Sequence, residues 1–367
     1  MPENTELHAK SMPETPANQP FCFLNIFKPK GITSFDVIYK LRKRLGIKKI
    51  GHSGTLDPLA EGVMQVAVGR ATRLIDYLGS DKKYIARIKF GFLSSTGDAE
   101  GEITLVNTPN FTYDSLLEAV NSLTGDIVQV PPVYSAIKVG GKKLCDLARK
   151  GKLHAGLALR TQNPQNPDSA SLSTQSIQKN VQNNALNPDI DENLPQKNPE
   201  TLDIKIPERH IKIYNAKILT PRAVFETGSS ASEIDIEIAC SKGTYIRSYA
   251  VDLAALLGTG AYLTALTRTA AGNFTLDNAV SIDNVTLARD AINPFHALDL
   301  PKYFLNENEF ARVQNGMPVM LQNKSEITNQ TSKTKIPNSP VMLIFNETLV
   351  SIGVLEDNKI VCKKVFK

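Results

Sequence analysis

The chain has 367 residues, of which 41% are hydrophobic and 22% are charged, and its formal net charge is +5. This length exceeds that of one typical hydrophobic core, so we expect a large domain and a smaller one. The composition is that of a soluble globular protein, and no apolar run approaches the roughly 18 residues that a membrane span needs. The first twenty residues are polar and carry acids, which excludes a signal peptide or a basic transit peptide, and we expect a disordered tail there.

The four cysteines lie singly along the sequence, without a C-x-x-C pair and without histidine at ligand spacing. This arrangement indicates neither a zinc site nor a disulfide framework. We therefore expect a protein of the reducing cytoplasm that binds no metal.

Positive charge is concentrated in two segments. Residues 28–49 carry eight lysines and arginines against one acid, Asp36, and residues 138–152 carry six against one, Asp146. Such local excess is typical of proteins that bind a polyanion, because each neutralised phosphate releases counterions. A solvated helix face would give the same pattern, so charge alone leaves both interpretations open.

The first predicted element is a short buried strand at 21–26, FCFLNI, which Pro29 and Gly31 interrupt. Ser34 is predicted to cap a helix whose apolar residues form one stripe and which ends at Gly46.

Further elements follow along the chain. Strands are predicted at 64–68, 84–91 and 234–241, and helices at 116–123 and at 248–257, the second ended by Gly258. The strand at 234–241 alternates apolar and polar residues, as a half-solvated antiparallel strand does. Because strands and helices mix without a regular βαβ order, the predicted fold class is α+β.

Two polar segments interrupt this pattern. Residues 154–205 lack aromatic residues and are dense in Asn, Gln, Ser and Pro, so we expect a disordered insertion that loops out of the fold. A second polar run, 323–338, interrupts a C-terminal region whose strand-like pieces predict a small β-barrel.

The acid Asp57 stands in the glycine-rich stretch GHSGTLDPLAEGV, residues 51–63, between Leu56 and Pro58. Pro58 holds Asp57 away from the helical region, and the glycines allow another molecule to approach the backbone closely. An isolated Asp-Pro is more often a structural turn. His52, Thr55 and the buried strand that follows favour instead a catalytic carboxylate on a rigid support.

This stretch resembles the catalytic motif of the TruB family of tRNA pseudouridine synthases, G-H-x-G-x-L-D-P-x-A-x-G, and matches each fixed position. Other segments resemble further motifs of the family in the same order: KPKGITS at 28–34, DKKY at 81–84, VPPVYSAIKVGGKKL at 130–144, CSKGTYIRS at 240–248 and GAYLTALTRTAAG at 260–272.

The resemblance implies a pseudouridine synthase fold, in which a central, mainly antiparallel sheet is flanked by helices and a small PUA-like β-barrel forms the C-terminal region. It implies a tail at 1–20, a catalytic domain at 21–294 that contains the insertion at 154–205, and an RNA-binding PUA-like domain at 295–367.

The resemblance also implies roles for three catalytic residues. Asp57 matches the aspartate that attacks the target uridine or abstracts a proton, and Arg247 matches the arginine that pairs with it. Tyr84 matches the tyrosine that stacks on the target base and handles the C5 proton. An arginine partner is physically required, since a buried carboxylate stays ionised only beside an opposite charge.

Four further residues are implied in substrate binding. Tyr245 matches an active-site neighbour of the arginine, Leu266 an apolar wall of the base pocket, His52 a histidine that helps to extrude the base, and Lys28 a basic residue of the pocket rim. Ser95 and Cys145 depart from the family pattern, which commonly has an aspartate and an aromatic residue there.

These residues predict a monomeric enzyme that uses neither cofactor nor metal and converts uridine to pseudouridine at position 55 in the T loop of tRNAs. A guide-dependent pseudouridine synthase subunit and an RNA-binding or RNA-folding protein are the alternatives. The sequence leaves open whether Asp57 attacks the sugar carbon, attacks the base or acts as a base.

Overall fold

The computed structural model describes residues 20–149, 206–226, 232–321, 327 and 339–366. The predictions for the N-terminal tail and for the insertion at 154–205 lie outside these residues, as does nearly all of the polar run at 323–338.

Strands and helices alternate irregularly along the chain. The strands are β1 (Phe21–Lys28), β2 (Ile50–His52), β3 (Glu61–Gly69), β4 (Lys82–Phe90), β5 (Phe92–Ser94), β6 (Ile103–Leu105), β7 (Gly125–Gln129), β8 (Lys138–Val139), β9 (Lys142–Lys143), β10 (Arg209–Ile218), β11 (Glu233–Cys240), β12 (Ala261–Ala271), β13 (Phe274–Thr275), β14 (Val280–Ser281), β15 (Lys302–Phe304), β16 (Val319–Met320), β17 (Pro340–Phe345), β18 (Thr348–Glu356) and β19 (Lys359–Val365). The helices are α1 (Ser34–Leu45), α2 (Tyr113–Ser122), α3 (Leu144–Arg149), α4 (Ala223–Glu226), α5 (Ile246–Leu256), α6 (Leu287–Asp290), α7 (Pro294–Ala297) and α8 (Glu307–Gln314), with 3-10 helices at Arg70–Tyr77 and Leu276–Asn278. None of these helices is long and apolar enough to cross a membrane.

Ten of the described strands form one sheet, in the order β14-β1-β3-β12-β4-β11-β10-β7, with β2 and β13 paired to β3 and β12. All of its pairings are antiparallel except β1 with β14 and β3 with β12. The α+β prediction with a central, mainly antiparallel sheet is therefore confirmed. The predicted strands and helices between residues 64 and 258 occur within a few residues of their expected bounds.

Alternate residues of β1 point to opposite faces of this sheet, as the period of a strand requires. Leu24 and Ile26 pack with Val37 and Leu41 of α1, whereas Phe23 packs against the C-terminal sheet. The N-terminal strand is thus covered on both sides, which explains the unbroken apolar run that predicted it.

The N-cap of helix α1 lies one residue earlier than the sequence predicted. Thr33, not Ser34, is the N-cap, and it forms a capping box with Asp36; the helix ends at Gly46, whose φ is 68°. The Ser34 hydroxyl instead binds both the N–H and the C=O of Leu56, at 2.8 and 3.0 Å. Ser34 was predicted to cap the helix, but its hydroxyl makes a tertiary contact with Leu56 instead.

The C-terminal region is a five-stranded sheet in the order β15-β17-β18-β19-β16, open between its ends and curled like half of a barrel. It confirms the strand-like pieces of the sequence and is consistent with a PUA-like domain. It rests on the large sheet, since the ring of Phe366 stacks on that of Phe21 with centroids 4.9 Å apart and Arg73 donates to the carbonyl of Val365.

Candidate active site

A cleft of about 500 Å³ opens where the glycine-rich loop meets β4, β12 and the turn that leads into α5. Five of the seven residues predicted from the sequence line it: Asp57, Tyr84, Tyr245, Arg247 and Leu266. They come from four separate parts of the chain, so the fold, not sequence proximity, assembles the site.

The central contact is an ion pair between Asp57 and Arg247. The Nη2 of Arg247 lies 3.0 Å from the Oδ2 of Asp57, and the arginine side chain is 7% exposed against 39% for the aspartate. The cation is therefore held in the protein interior, whereas the carboxylate that it pairs with faces the cleft.

The guanidinium of Arg247 is fixed on its other sides as well. Nη1 donates to the carbonyl of Thr96 at 2.9 Å, Nη2 donates to that of Tyr134 at 3.0 Å, and Nε lies 3.7 Å from the Oδ2 of Asp98. A buried cation is stable only when its charge and its donors are satisfied, and here two carboxylates and two carbonyls do so. The position of the group facing Asp57 is thus set before any substrate arrives.

The loop that carries Asp57 is fastened to the segment at 28–34. Ser34 holds both polar groups of Leu56, and the N–H of Gly31 donates to the carbonyl of Pro58 at 2.8 Å. Gly31 has a φ of 89°, a conformation that residues with a side chain rarely adopt. Two motifs that are distant in the sequence therefore form one structural unit around the acid.

Tyr84 and Leu266 form the wall beside Asp57. Tyr84, on β4, is paired across the sheet with Arg268 of β12, and Leu266 lies two residues from Arg268 on the same face. Burial raises the pKa of the Tyr84 phenol, an effect that the Arg268 guanidinium partly offsets. The hydroxyl is therefore protonated at neutral pH, and the wall is an aromatic ring beside an aliphatic side chain.

Arg268 ties this wall to the loop. It is 1% exposed, and it donates to the carbonyl of Val63 at 2.6 Å and to that of Gly54 at 3.3 Å. The sequence analysis assigned no role to this residue, although it lies inside the segment at 260–272.

Tyr245 is positioned by a buried amide. Its N–H donates to the Oε1 of Gln129 at 2.8 Å, and its carbonyl accepts from the Nε2 of Gln129 at 3.1 Å. Gln129 is fully buried at the end of β7, so the turn that precedes Arg247 is anchored to the sheet.

Two predicted residues do not line the cleft. His52 lies half-buried on β2, opposite Val66, and burial lowers the pKa of its imidazole. Lys28, which was predicted at the pocket rim, is fully buried. The strand β1 continues through it, so its side chain points inward with those of Leu24 and Ile26, and its ammonium donates to the carbonyls of Pro29 and Ile32 at 3.0 and 2.6 Å.

The cleft also contains residues to which the sequence analysis gave no role. Lys82, Arg149, Lys242 and Tyr134 line it, as does Cys145. With Arg247 they place four cations around Asp57, which is the single carboxylate among the described residues that line the cleft. Excess positive charge in a concave site attracts a polyanion. The available signals were the second basic segment for Arg149 and the DKKY segment for Lys82.

A group of three or more His, Cys, Asp or Glu side chains that could hold a metal ion is absent from the described parts of the chain. The four cysteines are free thiols. The polar groups that face the cleft are thus a carboxylate, cations, hydroxyls and backbone amides, which are the groups used in acid–base and nucleophilic chemistry on a charged substrate.

Comparison with known proteins gives relatives over most of the chain. Residues 42–182 match the model of the family described as TruB family pseudouridylate synthase, N-terminal domain. The tRNA pseudouridine synthase B of Clostridium acetobutylicum is 33% identical over 88% of this chain and 91% of its own. That of Geobacillus thermodenitrificans is 35% identical over 80% and 85%, respectively.

Solved structures share the fold at lower identity. The crystal structure of a Cbf5-Nop10-Gar1 complex contains a chain that is 20% identical, with a TM-score of 0.60 over 96% of this chain and 88% of that one. A structure of an H/ACA RNP bound to a substrate RNA containing 2'-deoxyuridine gives a TM-score of 0.59 at 20% identity, over 96% and 89%. At such identity the likeness shows the architecture alone.

The two relatives from Clostridium acetobutylicum and Geobacillus thermodenitrificans, at 33% and 35% identity, match over 91% and 85% of their own length. That similarity makes this chain a member of the TruB family of pseudouridylate synthases.

Proposed function

We propose that this enzyme isomerises uridine to pseudouridine at position 55 in the T loop of tRNAs, acting as a monomer in the cytoplasm and without a guide RNA. The names of its relatives support tRNA as the substrate. The observation that carries the proposal is the ion pair of Asp57 with Arg247, at 3.0 Å, in a cleft walled by Tyr84 and Leu266.

The first step is extrusion of the target base. A uridine stacked in an RNA loop does not expose its glycosidic bond to a protein side chain, so the nucleotide must rotate out of the stack. The ring of Tyr84 offers the flipped uracil a replacement for the stacking that it loses, and Leu266, beside it in the same wall, excludes water. The three other cations that line the cleft, Lys82, Arg149 and Lys242, bind the flanking phosphates.

Asp57 then opens the N-glycosidic bond. Attack on the sugar carbon, attack on the base and proton abstraction all require an ionised carboxylate at the floor of the cleft, and Arg247 supplies the matching charge. Uracil turns within the pocket and rejoins the sugar through C5. The proton lost from C5 is balanced by the proton gained at N1, and the Tyr84 hydroxyl relays it.

Asp57 is the single carboxylate among the described residues of the cleft, which suits an isomerase better than a hydrolase. Hydrolysis of a glycosidic bond commonly uses two carboxyl groups, of which one activates water. Here the leaving base returns to the same sugar, so no water has to be activated.

We also propose the domain organisation that the sequence predicted. Residues 21–294 form the catalytic domain, and residues 295–367 form a PUA-like RNA-binding domain.

The test is to incubate a T-arm stem-loop transcript with the purified protein alone and to quantify pseudouridine. We expect product at the single target uridine, and none from Asp57→Ala. A matched control is Asp235→Ala, which removes a carboxylate from an exposed pair with Arg87 on the same sheet and should leave the rate unchanged. Product that depends on added guide RNA would favour the guided synthase, and tight binding without product would favour an RNA-binding protein.

A further inference from the structure

Helix α1 exposes two aromatic side chains that packing does not explain. Phe35 is 66% exposed and Tyr39 is 63% exposed, and the two lie one turn apart on the same face. The opposite face of the helix buries Val37, Ile38 and Leu41 and supplies all of its packing against the sheet. Large apolar groups that are grouped on a surface usually mark a contact site.

Lys43 shares this face with the aromatic rings, and Lys40 lies at its edge. Lys40 and Lys43 are exposed and lie within one turn of Tyr39. The one acid of the helix, Asp36, is engaged in the capping box, where its carboxylate accepts from the N–H and the hydroxyl of Thr33 at 2.8 and 2.6 Å. The face is therefore positive as well as aromatic.

This face begins at the active site. Phe35 follows Ser34, whose hydroxyl is bonded to Leu56, the residue before Asp57. From there the helix continues for about 18 Å. The first turn of α1 is thus tied through one residue to the loop that carries Asp57.

The chemistry of the face favours one class of partner. A protein interface depletes lysine at its centre, and a lipid surface requires a wide apolar stripe, which two rings followed by lysines do not form. Aromatic rings beside cations form an arrangement that binds unpaired nucleotides, since bases stack on the rings and phosphates contact the cations.

We propose that Phe35 and Tyr39 stack on unpaired bases of the substrate RNA that flank the target uridine, while Lys40 and Lys43 contact its phosphates. This inference rests on the proposed function and defines a binding surface outside the cleft. It differs from the general basic character of residues 28–49, because it requires unpaired bases as well as negative charge.

The first test compares two RNAs in equilibrium binding: a T-arm stem-loop, and a duplex of the same stem without the loop. We expect Phe35→Ser and Tyr39→Ser each to weaken binding of the stem-loop about tenfold and to leave the duplex unaffected. Leu105→Ser is the matched control, because Leu105 is 60% exposed on β6 and belongs to no basic surface. Both aromatic variants should fold, since neither ring is packed in the core.

The second test separates stacking from charge. Lys43→Gln should lower the slope of log Kd against log salt by about 0.7 to 0.9, whereas Phe35→Ser should weaken binding equally at every salt concentration. In turnover with the stem-loop, Phe35→Ser should raise KM about tenfold and leave kcat within about twofold, because the ring does not touch the target base.

Equal affinity of the stem-loop for wild type, Phe35→Ser and Tyr39→Ser would overturn the inference. So would an equal loss with the duplex, or a change in self-association of the variants by sedimentation velocity, which would make this face a protein contact. These binding results do not depend on product. Failure of the proposed function would appear separately, as wild-type protein that forms no pseudouridine.

Discussion

Asp98 and Asp57 share one guanidinium: the Oδ2 of Asp98 lies 3.7 Å from the Nε of Arg247, and the Oδ2 of Asp57 lies 3.0 Å from its Nη2. Asp98 is 2% exposed, and its other oxygen accepts from the N–H of Glu100 at 3.1 Å. The buried acid thus orients the cation, and the cation orients the acid in the cleft.

Replacement of Asp98 by Asn should therefore impair catalysis without touching the substrate. Asparagine keeps the shape and an acceptor but removes the charge that holds Nε, so we expect kcat to fall about ten- to hundredfold with KM nearly constant. Single-turnover rates on a T-arm stem-loop would measure this. Asp235→Asn, at an exposed pair, is the control, and an unchanged kcat in Asp98→Asn would refute the orienting role.

Arg247 itself should tolerate no substitution. In Arg247→Met the carboxylate loses its counter-charge, and we expect kcat to fall roughly 10²- to 10³-fold. Arg247→Lys keeps the charge but cannot bind the carbonyls of Thr96 and Tyr134 and both carboxylates together, so its rate should lie between those of Arg247→Met and wild type. A lysine variant as active as wild type would mean that a positive charge alone supports catalysis and that the planar guanidinium with its several donors is not required.

Two adjacent hydroxyls at the start of α1 should give opposite kinds of defect. Thr33→Ala removes the N-cap and should cost about 1 kcal/mol in the free energy of unfolding, with little effect on kcat. Ser34→Ala leaves both polar groups of Leu56 unpaired, which should cost about 1 to 3 kcal/mol and loosen the loop that carries Asp57.

The ratio of the two effects is the informative quantity. Urea unfolding and kcat, measured on both variants, should show a loss of activity per unit of lost stability that is far larger for Ser34→Ala. Equal ratios would mean that Ser34 only stabilises the helix.

Buried Lys28 should make stability depend on pH in the alkaline range. Burial lowers the pKa of its ammonium from 10.5 to about 8. The negative charges of Asp57, Glu100 and Glu61 act to raise this pKa, and the positive charge of Arg268 acts to lower it. Below pH 8 both folded and unfolded chains carry the proton, and the cost of burying the charge is fully present. Between pH 8 and 10.5 only the unfolded chain keeps it, so this residue makes the protein more stable as pH rises.

Lys28→Met removes that contribution. The difference in unfolding free energy between wild type and Lys28→Met should therefore shift in favour of wild type from pH 7.5 to pH 10, whereas the exposed Lys43→Met should show no such shift. Urea titrations at four pH values would measure it. A difference that stays constant across this range would contradict the buried cation.

The fold class and most element positions follow from local patterns. The strand at 234–241 was visible in its alternation and the helix before Gly46 in its apolar stripe, because each buries a single face. Lys28 illustrates the limit. A lysine after FCFLNI looks like the end of a strand, and only the register of β1 with β3, which pairs Lys28 with Gly62, carries it inside.

The site divides in the same way. Proximity of Asp57 to Arg247 is a tertiary fact that spacing cannot give, and the resemblance to a family predicted it. The local sequence does not show whether Thr33 or Ser34 is the N-cap, since both residue types are good caps. Thr33 caps the helix because Ser34 is bonded to Leu56. Nothing in the sequence indicated Asp98, Gln129 and Arg268, because they position other residues of the site and do not themselves react.

The two-sided packing of β1 bears on how the chain reaches its native state. One flank of this strand, at Phe23, is covered in part by side chains such as Met342 and Ile352, which the ribosome adds more than three hundred residues later. Until then part of the apolar surface around Phe23 stays exposed to solvent, where it can promote aggregation. Strand β1 and the C-terminal sheet therefore share one apolar cluster, and removal of the last strands would take away part of the packing of β1.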